Sequence, residues 1–149
     1  MADLGSDQLL LKFIGVWRLL ECTEVNTQGE ITYPWGKNPM GYIIYTKEGI
    51  VSVQIMRKER SPFDHNTPFY DPATNDLSLA HDYNAYFARF TLDPATQHVF
   101  HTVEGHINPL KIGKKKIRAY EFYDNKLQLT TENEPTVRNL LWEKVETTS

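Results

Sequence analysis

Gly41-Tyr42-Ile43-Ile44-Tyr45-Thr46, then Lys47-Glu48-Gly49, then Ile50-Val51-Ser52-Val53-Gln54-Ile55-Met56-Arg57 is the stretch that decides the fold class. Two runs rich in β-branched and aromatic residues flank a short polar turn that ends in glycine, the residue that adopts positive φ without steric cost. This predicts an antiparallel hairpin. Downstream the pattern repeats, with strands expected over 86–92, 99–107, 116–123, 126–131 and 138–145. The intervening segments, Asp93-Pro94-Ala95-Thr96, 108–113, Asp124-Asn125 and 132–135, carry turn chemistry.

Upstream, a first strand over 16–25 meets the turn Asn26-Thr27-Gln28-Gly29, and a short strand over 30–33 ends at Pro34. Ser6 or Asp7 is placed to cap a short helix through Phe13, with Leu9, Leu10 and Phe13 on one face and Gly15 as its stop, so this helix reads as a plug. The stretch 60–76 reads as an irregular loop over one end of the fold. Thr74 or Asn75 then caps a second helix expected near 75–86. About nine or ten short strands joined by hairpins form an up-and-down meander, and closure into an antiparallel barrel removes both sheet edges. An open sandwich is the alternative. No repeat or linker interrupts the chain, which reads as one domain over 1–149.

The 149 residues are 40% hydrophobic and 23% charged, as a folded globular domain requires, and the 12% aromatic share favours strands and pocket walls. A net charge of -3 gives no general attraction to phosphate backbones, so no nucleic-acid partner is expected. The basic run from Lys111 to Arg118 reads as an exposed turn between strands. Cys22 is the sole cysteine; it excludes an internal disulfide, suits a reducing compartment and reads as a core thiol. The N-terminal segment carries Asp3 and Asp7 where a secretion signal carries bases, and no stretch reaches the roughly 20 apolar residues of a membrane span. A cytoplasmic protein without a membrane span is expected.

Phe13-Ile14-Gly15-Val16-Trp17-Arg18 resembles the Gly-x-Trp opening of lipocalins, and five further segments extend the likeness in order along the chain. They are Thr32-Tyr33-Pro34-Trp35-Gly36, Gly41 to Thr46, Ser52 to Arg57, Tyr83-Asn84-Ala85-Tyr86-Phe87, and His101-Thr102-Val103-Glu104-Gly105-His106. The ending Leu141-Trp142-Glu143-Lys144-Val145 completes it. Together they resemble the lipocalin-like domain proteins of bacteria and fungi. The Thr-Asp turn signature of secreted lipocalins is missing, and His106 stands where the family pattern more often has Ser. The resemblance implies a closed lipocalin-like β-barrel whose floor is sealed by Trp17 under an arginine of the last strand, with Arg138 as the best match. It implies a fold more than an activity.

Strand alternation puts His98, Phe100, Thr102, Glu104 and His106 on one face and His101 on the other, among Val99, Val103 and Ile107. His101 reads either as a satisfied core histidine or as a neutral imidazole able to orient a ligand or act as acid/base. Glu104 and His106 read as a solvent-facing pair, and Asp64-His65 and His81-Asp82 as loop and helix polar positions. No metal site and no cofactor are expected: ligand spacing, phosphate loop, Gly-x-Ser-x-Gly elbow and dinucleotide motif are all missing from the sequence. Tyr33, Tyr45, Gln54, Arg57, Tyr83 and Tyr86 are further candidate ligand contacts, with His101 and Tyr86 the candidate catalytic groups. Gln54, Tyr86 and His101 are expected to converge on one cavity. The expected function is binding of a small hydrophobic or amphipathic molecule. The alternatives are a cofactor-independent isomerase, cyclase or dehydratase in the same cavity, and a filled barrel acting through its surface.

Overall fold

In a computed structural model, which describes residues 2–60, 70–71, 76–77, 82–132, 134 and 136–147, helix α1 (Ala2–Phe13) leads into β1 (Gly15–Val25), β2 (Ile31–Thr32), β3 (Met40–Tyr45) and β4 (Ile50–Met56). Then come β5 (Tyr70–Asp71), β6 (Asp76–Leu77), β7 (Tyr83–Asp93), β8 (His98–His106), β9 (Lys115–Tyr123), β10 (Lys126–Thr131) and β11 (Val137–Lys144). The main sheet runs β11-β10-β9-β8-β7-β4-β3-β1-β2, and β11 also pairs with β1 from Trp17 opposite Lys144 to Val25 opposite Val137. That pairing closes eight antiparallel strands into a barrel, with β2 as a short ninth strand attached to the end of β1. The separate pair β5–β6 stands outside the barrel sheet.

Alternation sets the two faces. Ile43 and Tyr45 of β3 and Val51, Val53 and Ile55 of β4 are buried, whereas Met40, Tyr42 and Ile44 between them are exposed. The same rule buries Ala88 and Phe90 on β7, Val99 and Val103 on β8, Leu127 and Leu129 on β10, and Leu140 and Trp142 on β11. Each such side chain contributes roughly 1.5–3 kcal/mol through removal from water.

Helix α1 plugs one end through Phe13, which is fully buried with its ring edge-on to Tyr45, Tyr120 and Phe122 at centroid distances of 5.1, 5.2 and 5.1 Å. Its carbonyl accepts a hydrogen bond from Trp17 Nε1 at 2.9 Å, tying plug to first strand. Trp17 is buried as the resemblance implies, but the cation over its ring belongs to Lys144, not Arg138. Register explains the correction. Lys144 lies opposite Trp17, while Arg138 lies six residues back, opposite Glu24, and binds that carboxylate at 2.6 Å.

The helix expected near 75–86 is also corrected. Asp76–Leu77 pairs with Tyr70–Asp71, and Tyr83 opens β7, whose ladder runs from Tyr83 opposite Met56 to Arg89 opposite Ile50. An open edge of β4 offers a full set of backbone partners, and the aromatic run around Tyr86 suits that pleat better than a helix. Residues 74–75, 78–81 and the candidates Asp64 and His65 lie outside the described residues. None of the described helices is long and apolar enough to cross a membrane.

Candidate functional site

His101 projects from the middle of β8 into the barrel and is 1% exposed. Both ring nitrogens are engaged: Nε2 lies 2.7 Å from the Tyr45 hydroxyl and Nδ1 2.8 Å from the Tyr86 hydroxyl. A neutral imidazole meets this arrangement by accepting from one tyrosine and donating to the other. Burial, followed by the nearby charges of Arg118 and Lys116, lowers the His101 pKa to about 3, so the ring stays neutral at physiological pH. Burial also raises Tyr86 to about 12 and holds Tyr45 well above the usual phenol range. The three groups form a neutral hydrogen-bonded chain from β3 through β8 to β7.

A β-bulge adds His106 to this set. Gly105 faces Phe87 and Val103 faces Ala88, so Glu104 is the extra residue of β8 and the alternation of that strand slips by one. Glu104 stays exposed and lies 3.4 Å from Arg89, whereas His106 comes opposite Tyr86 and stacks on it at 5.4 Å with planes 4° apart. The pairing of Glu104 and His106 on one solvent-facing side is therefore corrected. Gly105 lets the Phe87 ring lie across the bulge, since a Cβ there would come within 2.3 Å of that ring and push it aside. His106 Nδ1 accepts the Asn108 backbone N–H at 2.9 Å, which puts the ring proton on Nε2. That Nε2 is buried and meets no acceptor among the described residues. Burial, with Lys116 and Lys111 next in effect, lowers the His106 pKa to about 4.

The basic run is divided by the strand it enters. Lys111 and Lys114 lie in the turn before β9, but Lys116 and Arg118 share the inward face of β9 with Tyr120 and Phe122. Lys116 is opposite His101 in register, and its ammonium stands 4.3 Å from the centroid of the Tyr86 ring. Burial, then Arg118 and Lys111, lower its pKa to about 8. Arg118 donates to its neighbour's carbonyl on Ile117 at 3.0 Å and lies 3.6 Å from Glu134. Composition alone hid these two cations. The signal was the alternation Lys116-x-Arg118-x-Tyr120-x-Phe122, which places them on the face that carries the buried aromatics.

The other candidates lie elsewhere. Gln54 is on the outer face of β4, where it accepts a hydrogen bond from the Tyr83 hydroxyl at 2.6 Å. Both border an external apolar cleft of about 270 Å³ with Met40, Tyr42, Ile44 and Met56. Arg57 donates to the Pro34 carbonyl at 2.8 Å, and Tyr33 is exposed beside Lys37. The structure thus brings Tyr45, Tyr86 and His101 together inside, joins His106, Lys116 and Arg118 to them, and leaves Gln54, Tyr83, Tyr33 and Arg57 outside.

The family model for the lipocalin-like domain matches residues 14–146, from the residue before Gly15 to two residues beyond the last strand. The chain belongs to the lipocalin-like domain family. No curated protein matches it. The matched span covers the closed barrel and leaves out the whole of α1, so the family's common element here is the barrel itself. A lipocalin-like barrel generally takes small hydrophobic ligands.

Proposed function

We propose that this lipocalin-like barrel binds a small hydrophobic or amphipathic molecule in its interior, oriented by Tyr86, His101 and the groups around them. The observation that carries the reading is a pair of buried N–H donors, on His106 and Trp142, that meet no acceptor among the described residues. Buried donors without partners cost free energy, and a ligand oxygen relieves that cost while apolar walls supply most of the affinity. Saturable binding of the neutral dye Nile red, weakened by His101→Phe, is the expected result. No saturable binding would favour a filled barrel that works through its surface. The unpaired Cys22 thiol supports a reducing, cytoplasmic setting.

A second reading, a cofactor-independent isomerase, cyclase or dehydratase, is favoured by the Tyr45–His101–Tyr86 chain. In an isomerisation Tyr86 could give its hydroxyl proton to one atom of a bound substrate and take one back from another substrate atom, so that the tyrosine ends as it began, with His101 holding the hydroxyl in place through its ring nitrogen. Under this reading Tyr86→Phe abolishes turnover and leaves dye affinity nearly unchanged.

A further inference from the structure

The inward-facing polar groups between β7, β8 and β9 are unbalanced in one direction. Lys116 has three N–H donors and no acceptor capacity, and its ammonium makes no ion pair among the described residues; the Tyr86 ring is the contact it has. The His106 Nε2–H is a second donor, buried and unpartnered. Arg118, with its side chain 12% exposed, is a third, and it is only partly engaged by Glu134, which lies at 3.6 Å and is nearly half exposed.

The described carboxylates on this side are already committed. Glu134 is beside Arg118 and, nearly half exposed, acts on Lys116 less than Arg118 and Lys111 do, and Glu24 is bound by Arg138 through two donors at 3.1 and 2.6 Å. Lys111, on the turn before β9, adds positive potential and no counter-charge. The Tyr45–His101–Tyr86 chain is neutral and internally satisfied. A mostly buried ammonium without a counter-ion is costly, and native structures pair such charges or bring an opposite charge to them.

We propose that the ligand of this interior is an acid: an apolar molecule with a single carboxylate or equivalent anionic group that pairs with the Lys116 ammonium, with the His106 Nε2–H and Arg118 as adjoining donors. The proposal rests on the container reading and specifies the ligand's polar end. The Tyr86 ring, stacked with His106 and touched by the Lys116 ammonium, is the aromatic surface beside which the polar end of the ligand is held. The arrangement discriminates by charge, since a neutral ester or alcohol of the same shape fills the apolar space but leaves the ammonium unpaired.

The test is fluorescence titration of the full chain at pH 7 with cis-parinaric acid and with its methyl ester. The acid is expected to bind at least about tenfold tighter than the ester. Lys116→Met is expected to bring acid and ester to similar affinity, and Lys116→Arg to retain a preference for the acid. Circular dichroism checks that each variant folds; if Lys116→Met does not, Lys116→Arg and the acid-to-ester ratio of the native chain decide. Equal affinity for acid and ester in the native chain overturns the anion site and leaves the container reading standing. A preference for the acid that survives intact in Lys116→Met overturns the assignment to Lys116. Binding of neither probe overturns the container reading and the acid ligand with it.

Discussion

Lys144 of the last strand lies over Trp17 of the first, its ammonium 4.6 Å from the indole ring centroid and hydrogen-bonded to the Ile14 carbonyl. The contact clamps the two strands that close the barrel at the end plugged by Phe13. Trp17→Ala is expected to cost about 3–5 kcal/mol, as truncation of a buried aromatic does. Lys144→Met removes the cation–π contact and one hydrogen bond, for a loss of about 1–2 kcal/mol. Urea denaturation of both variants measures these losses.

Gly15 supplies the space for that clamp. Its φ of +134° is a conformation that side chains rarely adopt, and a Cβ there would sit 2.6 Å from Lys144 Nζ. Gly15→Ala is therefore expected to destabilise by roughly 1–3 kcal/mol. Part of the cost is the clash and part is backbone strain. A double-mutant cycle with Lys144→Ala separates them, because truncation at Cβ removes the Nζ and Cε atoms that the new methyl would meet and leaves the strain. Strict additivity would show that Lys144 and Gly15 do not interact.

The barrel was legible because its information is local. Each hairpin carries its own turn, such as Lys47-Glu48-Gly49, and each strand its own alternation, so β3, β4 and β7 to β11 follow from short windows. The expected helix near 75–86 was misplaced because its competitor is remote in sequence: the edge of β4 claims Tyr83 to Arg89. The site was half legible for a related reason. His101 and Tyr86 stand out as polar groups in apolar strands. His106, by contrast, reaches them through a bulge that no composition signal marks, and Lys116 was concealed in a run of cations that reads as a turn. Arg138 was mistaken for Lys144 because motif likeness gives the type of contact but not the register.

Cys22 is fully buried on the inner face of β1, and burial raises its thiol to about 11 from an ordinary 9.0. The thiolate is the reactive species, so this thiol should resist a thiol reagent at pH 8 in the folded protein and react at once in urea. The sign of the shift also predicts alkaline behaviour. The neutral thiol is favoured by the fold, so its stabilising effect is complete below pH 9 and is lost as pH rises towards 11. Cys22→Ala should show a shallower loss of stability over that interval.

His101 makes the acid limb of the stability profile a readout of the interior. Its pKa falls from an ordinary 6.5 to about 3 on folding, so the unfolded chain takes up a proton that the barrel excludes. Stability from this group is present above pH 6.5 and is lost as pH falls towards 3. His106, lowered to about 4, adds a loss of the same sign over a narrower interval. His101→Phe removes the larger of the two, so the variant's stability should fall less steeply between pH 6 and 4 than that of the native chain. At pH 7 the same substitution strands the Tyr45 and Tyr86 hydroxyls, which bond His101 at 2.7 and 2.8 Å, at a cost of about 1–3 kcal/mol for each one left without a partner. The two effects are separable by denaturant titration at a series of pH values: a lower midpoint at pH 7 together with a flatter acid slope. An acid slope unchanged by His101→Phe would mean that the imidazole is not held neutral by burial, and would remove the basis for a neutral Tyr–His–Tyr chain in either binding or catalysis.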